Sequence, residues 1–192
     1  MADITLAAHS AFPVGMKLRS KSVAIEVCDD LAIVGLTAYR GTADALAGAI
    51  AERFSIALPS PGKRVGTDRI SFMWTGCHQW LAIAARAEGG LDLEAELAAA
   101  TAGLCSIVDH ADARAVLTIA GSDARAVLAK GLPIDLDERV FKPGDAAVTH
   151  ANHIGLTIAQ LDATPTYEIS IPRSLASSFA DWLRHAATEF LD

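Results

Sequence analysis

The chain has 192 residues, which suits one compact unit of two lobes and is enough to bury a core without disulfides or metals. Sixteen basic residues against 23 acidic ones give a net charge of -7. This charge excludes duplex nucleic acid as the main partner, because phosphate binding needs a basic surface. Hydrophobic residues make up 52% of the chain, yet no apolar run approaches the roughly 20 residues of a membrane helix.

The three cysteines, Cys28, Cys77 and Cys105, are scattered and form no CxxC motif. An odd, scattered count is typical of reduced thiols. The opening residues lack the basic and apolar regions of a signal peptide. We therefore predict a soluble cytoplasmic protein.

The first 21 residues show no sustained periodicity and are predicted to form an N-terminal arm, residues 1–21. Two apolar runs rich in Val and Ile follow at residues 23–28 and 31–39. The polar pair Asp29-Asp30 separates them, and this pattern is typical of a β-hairpin.

A helix is predicted to begin at Thr42, which can cap it through its hydroxyl. Its buried face is marked by apolar residues four apart: Leu46, Ile50 and Phe54. Residues 70–75 and 80–85 are the next strand candidates, joined by a short turn. Asp92 is predicted to cap a second helix, which Gly103 ends.

The second half of the chain runs similarly. Residues 105–108 and 113–119 are predicted to pair as strands, and a helix follows Gly121-Ser122. Three further strands are predicted to form an antiparallel meander: residues 146–151, 155–161 and 167–171. Ser174 is predicted to cap a last helix with a wide apolar stripe.

The order hairpin, helix, hairpin, helix therefore occurs twice. Gly41 and Gly121, which precede the first predicted helix of each half, are 80 residues apart. We predict an internal duplication of two α+β lobes, residues 22–103 and 104–192, in which helices pack on antiparallel strands. The chain contains neither the Gly-x-Gly-x-x-Gly fingerprint nor the Walker pattern, so no standard nucleotide cradle is expected.

Histidines offer two kinds of candidate site. A Ser-His-Asp triad stays open because triads assemble across a fold, but no serine lies in Gly-x-Ser-x-Gly. His150 and His153 converge on a metal only if Asn152 marks a turn, because residues three apart in a strand point to opposite faces. Zinc would also need a third ligand, so we expect loop histidines here.

The sequence between two tryptophans places the Cys77 thiol beside the His78 imidazole. Adjacent strand residues diverge, so we expect a hairpin turn here and no activated nucleophile. Trp74 and Trp80 flank this turn. We expect one of them in the core and leave the other open to a partner.

Five arginines are candidates to meet an anionic ligand: Arg69, Arg114, Arg125, Arg139 and Arg173. Arg173 precedes a predicted helix N-terminus, which is a natural position for an anion. Capping and ion pairs are the more ordinary roles of arginine, and we expect them here. Trp74, Trp80 and Arg173 are the candidate interface residues.

Several longer motifs occur in order along the chain. In the second half they are Gly-Ser-Asp-Ala-Arg-Ala-Val-Leu-Ala-Lys-Gly at residues 121–131, Arg-Val-Phe-Lys-Pro-Gly at 139–144 and Tyr-Glu-Ile-Ser-Ile-Pro-Arg-Ser-Leu at 167–175. In the first half they are Leu-Pro-x-Pro-Gly at 58–62 and Trp-x-Gly-x-x-x-Trp-Leu at 74–81. Together these motifs resemble the gamma subunit family of heterotetrameric sarcosine oxidase. The family's usual Gly-Pro-Asp turn is here Gly76-Cys77-His78.

The resemblance implies a complex of alpha, beta, gamma and delta subunits that oxidatively demethylates sarcosine to glycine. Electrons pass through flavins to oxygen, and tetrahydrofolate accepts the one-carbon unit. The resemblance places FAD, FMN and NAD on the alpha and beta subunits and zinc on the delta subunit. It assigns the gamma chain no cofactor, no metal and no catalytic residue, and a fold similar to the folate-binding domain of the glycine-cleavage aminomethyltransferase.

The sequence thus predicts a non-catalytic gamma subunit whose partners are the alpha, beta and delta subunits. Self-association of the isolated chain stays open. One alternative is a stand-alone folate-binding protein or folate-dependent one-carbon enzyme. Another is a metal-dependent hydrolase that uses His150 and His153.

Overall fold

The computed structural model describes residues 9–14, 16–86 and 92–191. Within these ranges the strands are β1 (Leu18–Arg19), β2 (Ala24–Cys28), β3 (Leu31–Ala38), β4 (Arg64–Gly66), β5 (Ile70–Gly76), β6 (Gln79–Ala85), β7 (Cys105–Asp109), β8 (Arg114–Ala120), β9 (Ala146–Ala151), β10 (Ile154–Asp162) and β11 (Thr166–Pro172). The α-helices are α1 (Ala43–Phe54), α2 (Leu93–Ala100), α3 (Ala124–Ala129) and α4 (Ala176–Ala187).

The strands form two antiparallel sheets. Sheet A has the order β1-β2-β8-β11-β10-β9, and sheet B has the order β4-β5-β6-β3-β7. The predicted α+β class is confirmed, as are the β5–β6 hairpin and the meander of β9, β10 and β11.

Two predicted strand pairings are wrong. The runs at residues 23–28 and 31–39 do not form a hairpin, because β2 pairs with β8 in sheet A and β3 pairs with β6 and β7 in sheet B. For the same reason β7 and β8 do not pair with each other. In both places the polar residues between the runs carry the chain from one sheet to the other.

The two sheets exchange strands between the halves of the chain, and they share one topology. The order β2-β8-β11-β10-β9 in sheet A corresponds position by position to β7-β3-β6-β5-β4 in sheet B. Sheet A thus takes β1 and β2 from the first half of the chain, and sheet B takes β7 from the second half. The predicted lobes at residues 22–103 and 104–192 therefore do not coincide with the two sheets. Strands and helices nevertheless follow one another in the same order in both halves, although the first predicted hairpin of each half is not formed. In this correspondence, β1 beside β2 has no described counterpart beside β7.

Three apolar clusters fill the fold, and we name them by position. Core A lies between sheet A and helices α3 and α4, and it also buries Phe12 and Met16 of the predicted arm. Core B lies between sheet B and helices α1 and α2. The inter-sheet core joins the two sheets through residues such as Ile33 and Val116. The helices therefore form the outer layers and the sheets the inner ones.

The predicted helix caps differ in outcome. Asp92 caps α2 as predicted, because its Oδ1 accepts a hydrogen bond from the backbone N–H of Ala95 (3.1 Å). Thr42 does not cap α1 with its side chain, because its hydroxyl donates to the carbonyl of Leu104 instead. Ser174 is not the cap of α4, since it lies within a short 3-10 helix that precedes α4.

Two short stretches of main chain join the edges of the two sheets. Residues 62–64 and 144–146, which we call the clasp, are linked by two main-chain hydrogen bonds of 2.8 Å. Lys63 forms an ion pair with Asp145, and the other oxygen of that carboxylate accepts from the backbone N–H of Lys142 (2.8 Å). The clasp ties β4 of sheet B to β9 of sheet A.

We expect Asp145→Asn to lower the free energy of unfolding by about 1 kcal/mol at pH 7, because Lys63 is half exposed and its ion pair is partly screened. Burial opposes ionisation of Asp145, but hydrogen bonds from Lys63 and Lys142 together lower its pKa below the ordinary 3.8. This stabilisation is therefore present above about pH 4 and is lost as the pH falls through the folded-state pKa.

Urea unfolding at pH 7 and pH 3 measures the effect, which should shrink at the lower pH. The control is Asp68→Asn, because Asp68 is exposed and forms no ion pair with the described residues. Equal losses of stability for the two variants at pH 7 would show that the clasp carboxylate contributes nothing.

Candidate functional site

The β5–β6 hairpin carries both tryptophans of the predicted interface. Trp74 and Trp80 lie directly opposite each other in the register, and both pack into core B. Trp80 is 9% exposed, and its Nε1 donates a hydrogen bond to the carbonyl of Pro59 (3.0 Å). Trp80 is therefore a core residue that fixes the preceding loop, and little of it is left for a partner. Trp74 is half-buried and keeps surface at the rim of the core.

The turn of this hairpin does not build a nucleophile. Cys77 and His78 form the two-residue loop, both are exposed, and His78 adopts a left-handed backbone with φ of 57°. Among the described residues, neither side chain forms a hydrogen bond with the other. The expected hairpin turn is confirmed.

His150 and His153, the candidate metal ligands, lie at another turn. His150 is exposed near the end of β9, and Asn152 and His153 form the β9–β10 loop with φ of 45° and 67°. The turn at Asn152 is therefore present, but no third ligand accompanies the two imidazoles. In residues 9–14, 16–86 and 92–191, no group of three or more His, Cys, Asp or Glu side chains is placed to hold a metal.

Arg173 lies in the 3-10 helix before α4 and binds the N-terminal arm. Its Nη2 donates a hydrogen bond to the carbonyl of His9 (2.5 Å). A shallow crevice of about 560 Å³ lies beside it, lined by Ser10, Ala11, Asp112, Ala113, Arg173 and Ser174. The guanidinium thus holds two distant parts of the chain together. Arg173 therefore contacts the main chain of the arm in this structure and does not present an anion site at the N-terminus of α4.

The structure brings together two of the five candidate arginines, Arg125 and Arg139. They line a pocket of about 440 Å³ with Glu138, Phe141, Lys142, Pro143, Gln160 and Ala163. Nε and Nη2 of Arg139 each donate a hydrogen bond to the carboxylate of Asp137. These hydrogen bonds lower the pKa of Asp137 to about 2. Arg125 lies 3.6 Å from Glu138. The positive charges of this pocket are therefore largely balanced by neighbouring carboxylates.

Two buried polar groups that the sequence did not predict are Gln160, in the lining of the same pocket, and Tyr167, which contacts Arg125. Tyr167 is fully buried, and its hydroxyl accepts a hydrogen bond from Nε of Arg125 (3.0 Å). Gln160, directly opposite Tyr167 in the register, is also buried, and its Oε1 has no partner among the described residues. Tyr167 lies in an alternating strand, so its burial was expected, but its contact with Arg125 joins elements 42 residues apart.

A second buried polar contact lies between the two sheets. Nε of Arg64 in β4 is 3.4 Å from Oε1 of Glu168 in β11, and both side chains are largely buried. Burial, and then the charge of Glu168, raise the pKa of Cys28 to about 11. Glu168 thus faces sheet B and not solvent, because the two sheets cover each other on their inner sides.

These positions predict how the three thiols react. We expect a disulfide reagent at pH 8 to modify Cys77 at least about 100-fold faster than Cys28 or Cys105, because only thiolates react and the latter two thiols are shielded. Burial also raises the pKa of Cys105, whose Sγ donates to the hydroxyl of Thr101 (3.2 Å).

Thiol titration with peptide mapping measures these rates in the folded chain. Cys77→Ser should abolish the fast phase and leave the slow one. Rapid modification of two or three thiols in the wild-type protein would contradict the placement of Cys28 and Cys105.

Comparisons with known proteins identify the fold and the family. A family model described as the sarcosine oxidase gamma subunit family matches residues 40–189. The chain belongs to this family. Comparison with curated protein sequences gave no match.

Two solved structures share the fold of this gamma-family chain. One is the heterotetrameric sarcosine oxidase from Corynebacterium sp. U-96 in complex with pyrrole 2-carboxylate, with a TM-score of 0.78 and 24% identity over 92% of this chain and 90% of that chain. The other is the glycine cleavage system aminomethyltransferase T from Bartonella henselae, with a TM-score of 0.64 and 16% identity over 92% of this chain. The gamma-family chain spans 51% of that second protein.

Three of the motifs that resemble the gamma family lie in loops and turns that connect elements of the fold. Residues 58–62 hold the carbonyl that accepts from Trp80 and lead into the clasp, and residues 139–144 enter the clasp from the other side. Residues 121–131 form the tight turn before α3 and the helix itself. The gamma-family motifs at residues 58–62 and 139–144 thus flank the contact between the two sheets. No helix among the described residues is long and apolar enough to cross a membrane.

Proposed function

We propose that this chain is the non-catalytic gamma subunit of a heterotetrameric sarcosine oxidase. The observation that carries the proposal is the family match over residues 40–189. The shared fold over 92% of the chain supports it, because that fold is found within an oxidase of four subunits. The chain serves as a part of an enzyme complex, and its role is to position the other subunits.

In this proposal the partners are the alpha, beta and delta subunits. The complex demethylates sarcosine to glycine, with oxygen as the electron acceptor and tetrahydrofolate as the one-carbon acceptor. FAD, FMN and NAD belong to the alpha and beta subunits and zinc to the delta subunit. The whole assembly works in the cytoplasm.

The side chains of this chain support a structural role. The candidates that the sequence offered for chemistry are engaged in holding the fold: Trp80 holds a loop, Arg173 the arm and Arg125 the buried Tyr167. In the pocket, Arg125 pairs with Glu138 and Arg139 with Asp137. A catalytic group needs a reactive atom with a free approach, and these side chains are engaged in contacts within the fold.

The similarity to aminomethyltransferase does not favour a stand-alone folate enzyme. At 16% identity it shows the fold alone, and the chain spans only 51% of that protein.

Co-expression with the other three subunits tests the proposal. An affinity tag on this chain should recover all four chains in equal amounts together with sarcosine oxidase activity. Titration of the isolated chain with tetrahydrofolate should show no saturable binding at micromolar concentrations. Failure of the tagged chain to recover the others while they assemble among themselves would contradict the proposal.

A further inference from the structure

The outer edge of sheet B at β7 is open, whereas the corresponding edge of sheet A is covered. β7 holds the position in sheet B that β2 holds in sheet A, and β1 lies beside β2 as an additional antiparallel strand. In residues 9–14, 16–86 and 92–191, no strand pairs with the outer side of β7. The fold therefore accepts a strand at this position, and the described residues fill only one of the two.

The hydrogen-bond pattern shows which peptide groups face outward. The N–H of Tyr39 donates to the carbonyl of Leu104 (3.0 Å), and the N–H of His110 donates to the carbonyl of Ile33 (2.8 Å). In an antiparallel pair every second residue bonds to the neighbour. The even-numbered residues of β7 thus face β3, and the peptide groups of Cys105, Ile107 and Asp109 face the open edge.

This edge has few of the features by which proteins protect exposed strands. β7 reads Cys-Ser-Ile-Val-Asp, with no lysine and no proline, its one charge is Asp109 at its end, and its register with β3 runs without a bulge. The other edge strands differ. β1 and β4 are only two and three residues long and contain Arg19 and Arg64, and β9 is joined to Gly62 by the clasp at Ala146. β7 is therefore suited to pairing with another strand.

Apolar side chains accompany the open edge. Val108 is 50% exposed, and Tyr39, which bonds to the residue before β7, is 51% exposed. By strand alternation Val108 lies on the face of sheet B that packs on sheet A further along, whereas Tyr39 follows the end of β3. Thr37 and Ser106 near Val108 are exposed as well. An exposed tyrosine and an exposed apolar side chain near one strand edge are typical of an interface with protein.

We propose that the β7 edge binds an extended segment of a companion subunit as an antiparallel strand, with an apolar side chain of that segment packed against Val108. This proposal rests on the proposed function, because it requires a companion subunit. Main-chain hydrogen bonds supply affinity in such strand addition, and the side chains on alternate positions supply specificity.

The first test is a matched pair of lysine substitutions in the full complex. Val108→Lys places a charge at the β7 edge. Val148→Lys places the same charge at the edge of sheet A, where Val148 in β9 is 53% exposed. With equal expression and unchanged melting temperature, we expect Val108→Lys to reduce recovery of this chain with its partners at least about fivefold. Val148→Lys should leave recovery at the wild-type level.

The second test is hydrogen exchange of the wild-type chain, alone and in the complex. The outward amides of Cys105, Ile107 and Asp109 should slow at least about tenfold on assembly, because pairing protects them from solvent. The amides of Ser106 and Val108, which already bond to β3, should change little. Unchanged exchange at all five amides would overturn the proposal.

The outcomes separate this proposal from the proposed function. If the wild-type chain does not assemble, the proposed function fails. If it assembles and Val108→Lys assembles equally well, only the strand addition fails. A dimer of the isolated chain that Val108→Lys disrupts, with assembly intact, would assign the edge to a second copy. Outward amides that are protected in the isolated chain and lose protection when residues 1–8 are deleted would assign it to the chain's own N-terminus.

Discussion

Replacing Phe179 with alanine should lower the free energy of unfolding by about 3–5 kcal/mol, because a large side chain is removed from a closed core. Phe179 is fully buried in core A and packs on the ring of Trp182 at a centroid distance of 5.3 Å. Domains of this size are stable by only about 5–15 kcal/mol. The variant should therefore be partly unfolded at physiological temperature and should disappear from the complex.

Denaturant unfolding measured by circular dichroism gives the loss, and Leu175→Ala is the matched control. Leu175 lies four residues earlier and is 38% exposed, so its truncation should cost less than about 0.5 kcal/mol. Similar losses for the two variants would contradict the position of α4 on sheet A.

The second large effect is expected at Gly121, where the chain turns from β8 towards α3. Its φ of 116° is rarely adopted by other residues, and an added Cβ would lie 2.1 Å from the carbonyl oxygen of Ser22. That oxygen already accepts a hydrogen bond from the N–H of Asp123 (3.2 Å). We expect Gly121→Ala to cost about 3 kcal/mol or more, because backbone strain adds to displacement of the main chain.

Gly155→Ala is the control for this substitution. Gly155 lies in β10 at an ordinary φ, and no heavy atom lies within 4 Å of an added Cβ. Alanine there should leave the melting temperature unchanged or raise it slightly, because glycine weakens strands. A Gly121→Ala protein as stable as Gly155→Ala would show that the approach of residue 22 to this turn is wrong.

Local sequence signals predicted the helices and strands better than the pairing of the strands. The sequence predicted a strand at residues 167–171, which lies within β11, and the spacing of Leu46 and Ile50 predicted the inner side of α1. These signals depend on neighbours within a few residues, so they are present in the sequence itself.

The exchange of strands between the sheets had no such signal. Asp29-Asp30 separates β2 from β3 as a hairpin turn would, and a two-residue polar break looks the same whether it turns the chain back or passes it to another sheet. Which strand pairs with which is decided by contacts between residues far apart, such as Val27 opposite Leu117. Sequence spacing alone does not contain that information.

The same limit applies to the candidate site. The sequence correctly placed the turns at Cys77-His78 and Asn152, because turn chemistry is local. It gave no indication that Thr42 donates to the carbonyl of Leu104, or that Arg64 meets Glu168 across the sheets. These contacts join residues 62 and 104 positions apart, and they exist only once the two sheets are packed.

The exchange also bears on function. Because each sheet contains a strand from the opposite half of the chain, neither sheet is complete without the other. The clasp and the inter-sheet core then fix their mutual position. A rigid unit of this kind presents its surfaces in a constant arrangement, which is what a subunit that positions larger partners requires.

Native mass spectrometry of the co-expressed, purified complex tests the central claim most directly. We predict one copy of this chain in a four-chain assembly and, after gentle ejection in the gas phase, a bare polypeptide of 20.1 kDa. An ejected chain that retains the mass of a flavin, a folate or a metal ion would contradict the account, as would an assembled oxidase from which this chain is absent.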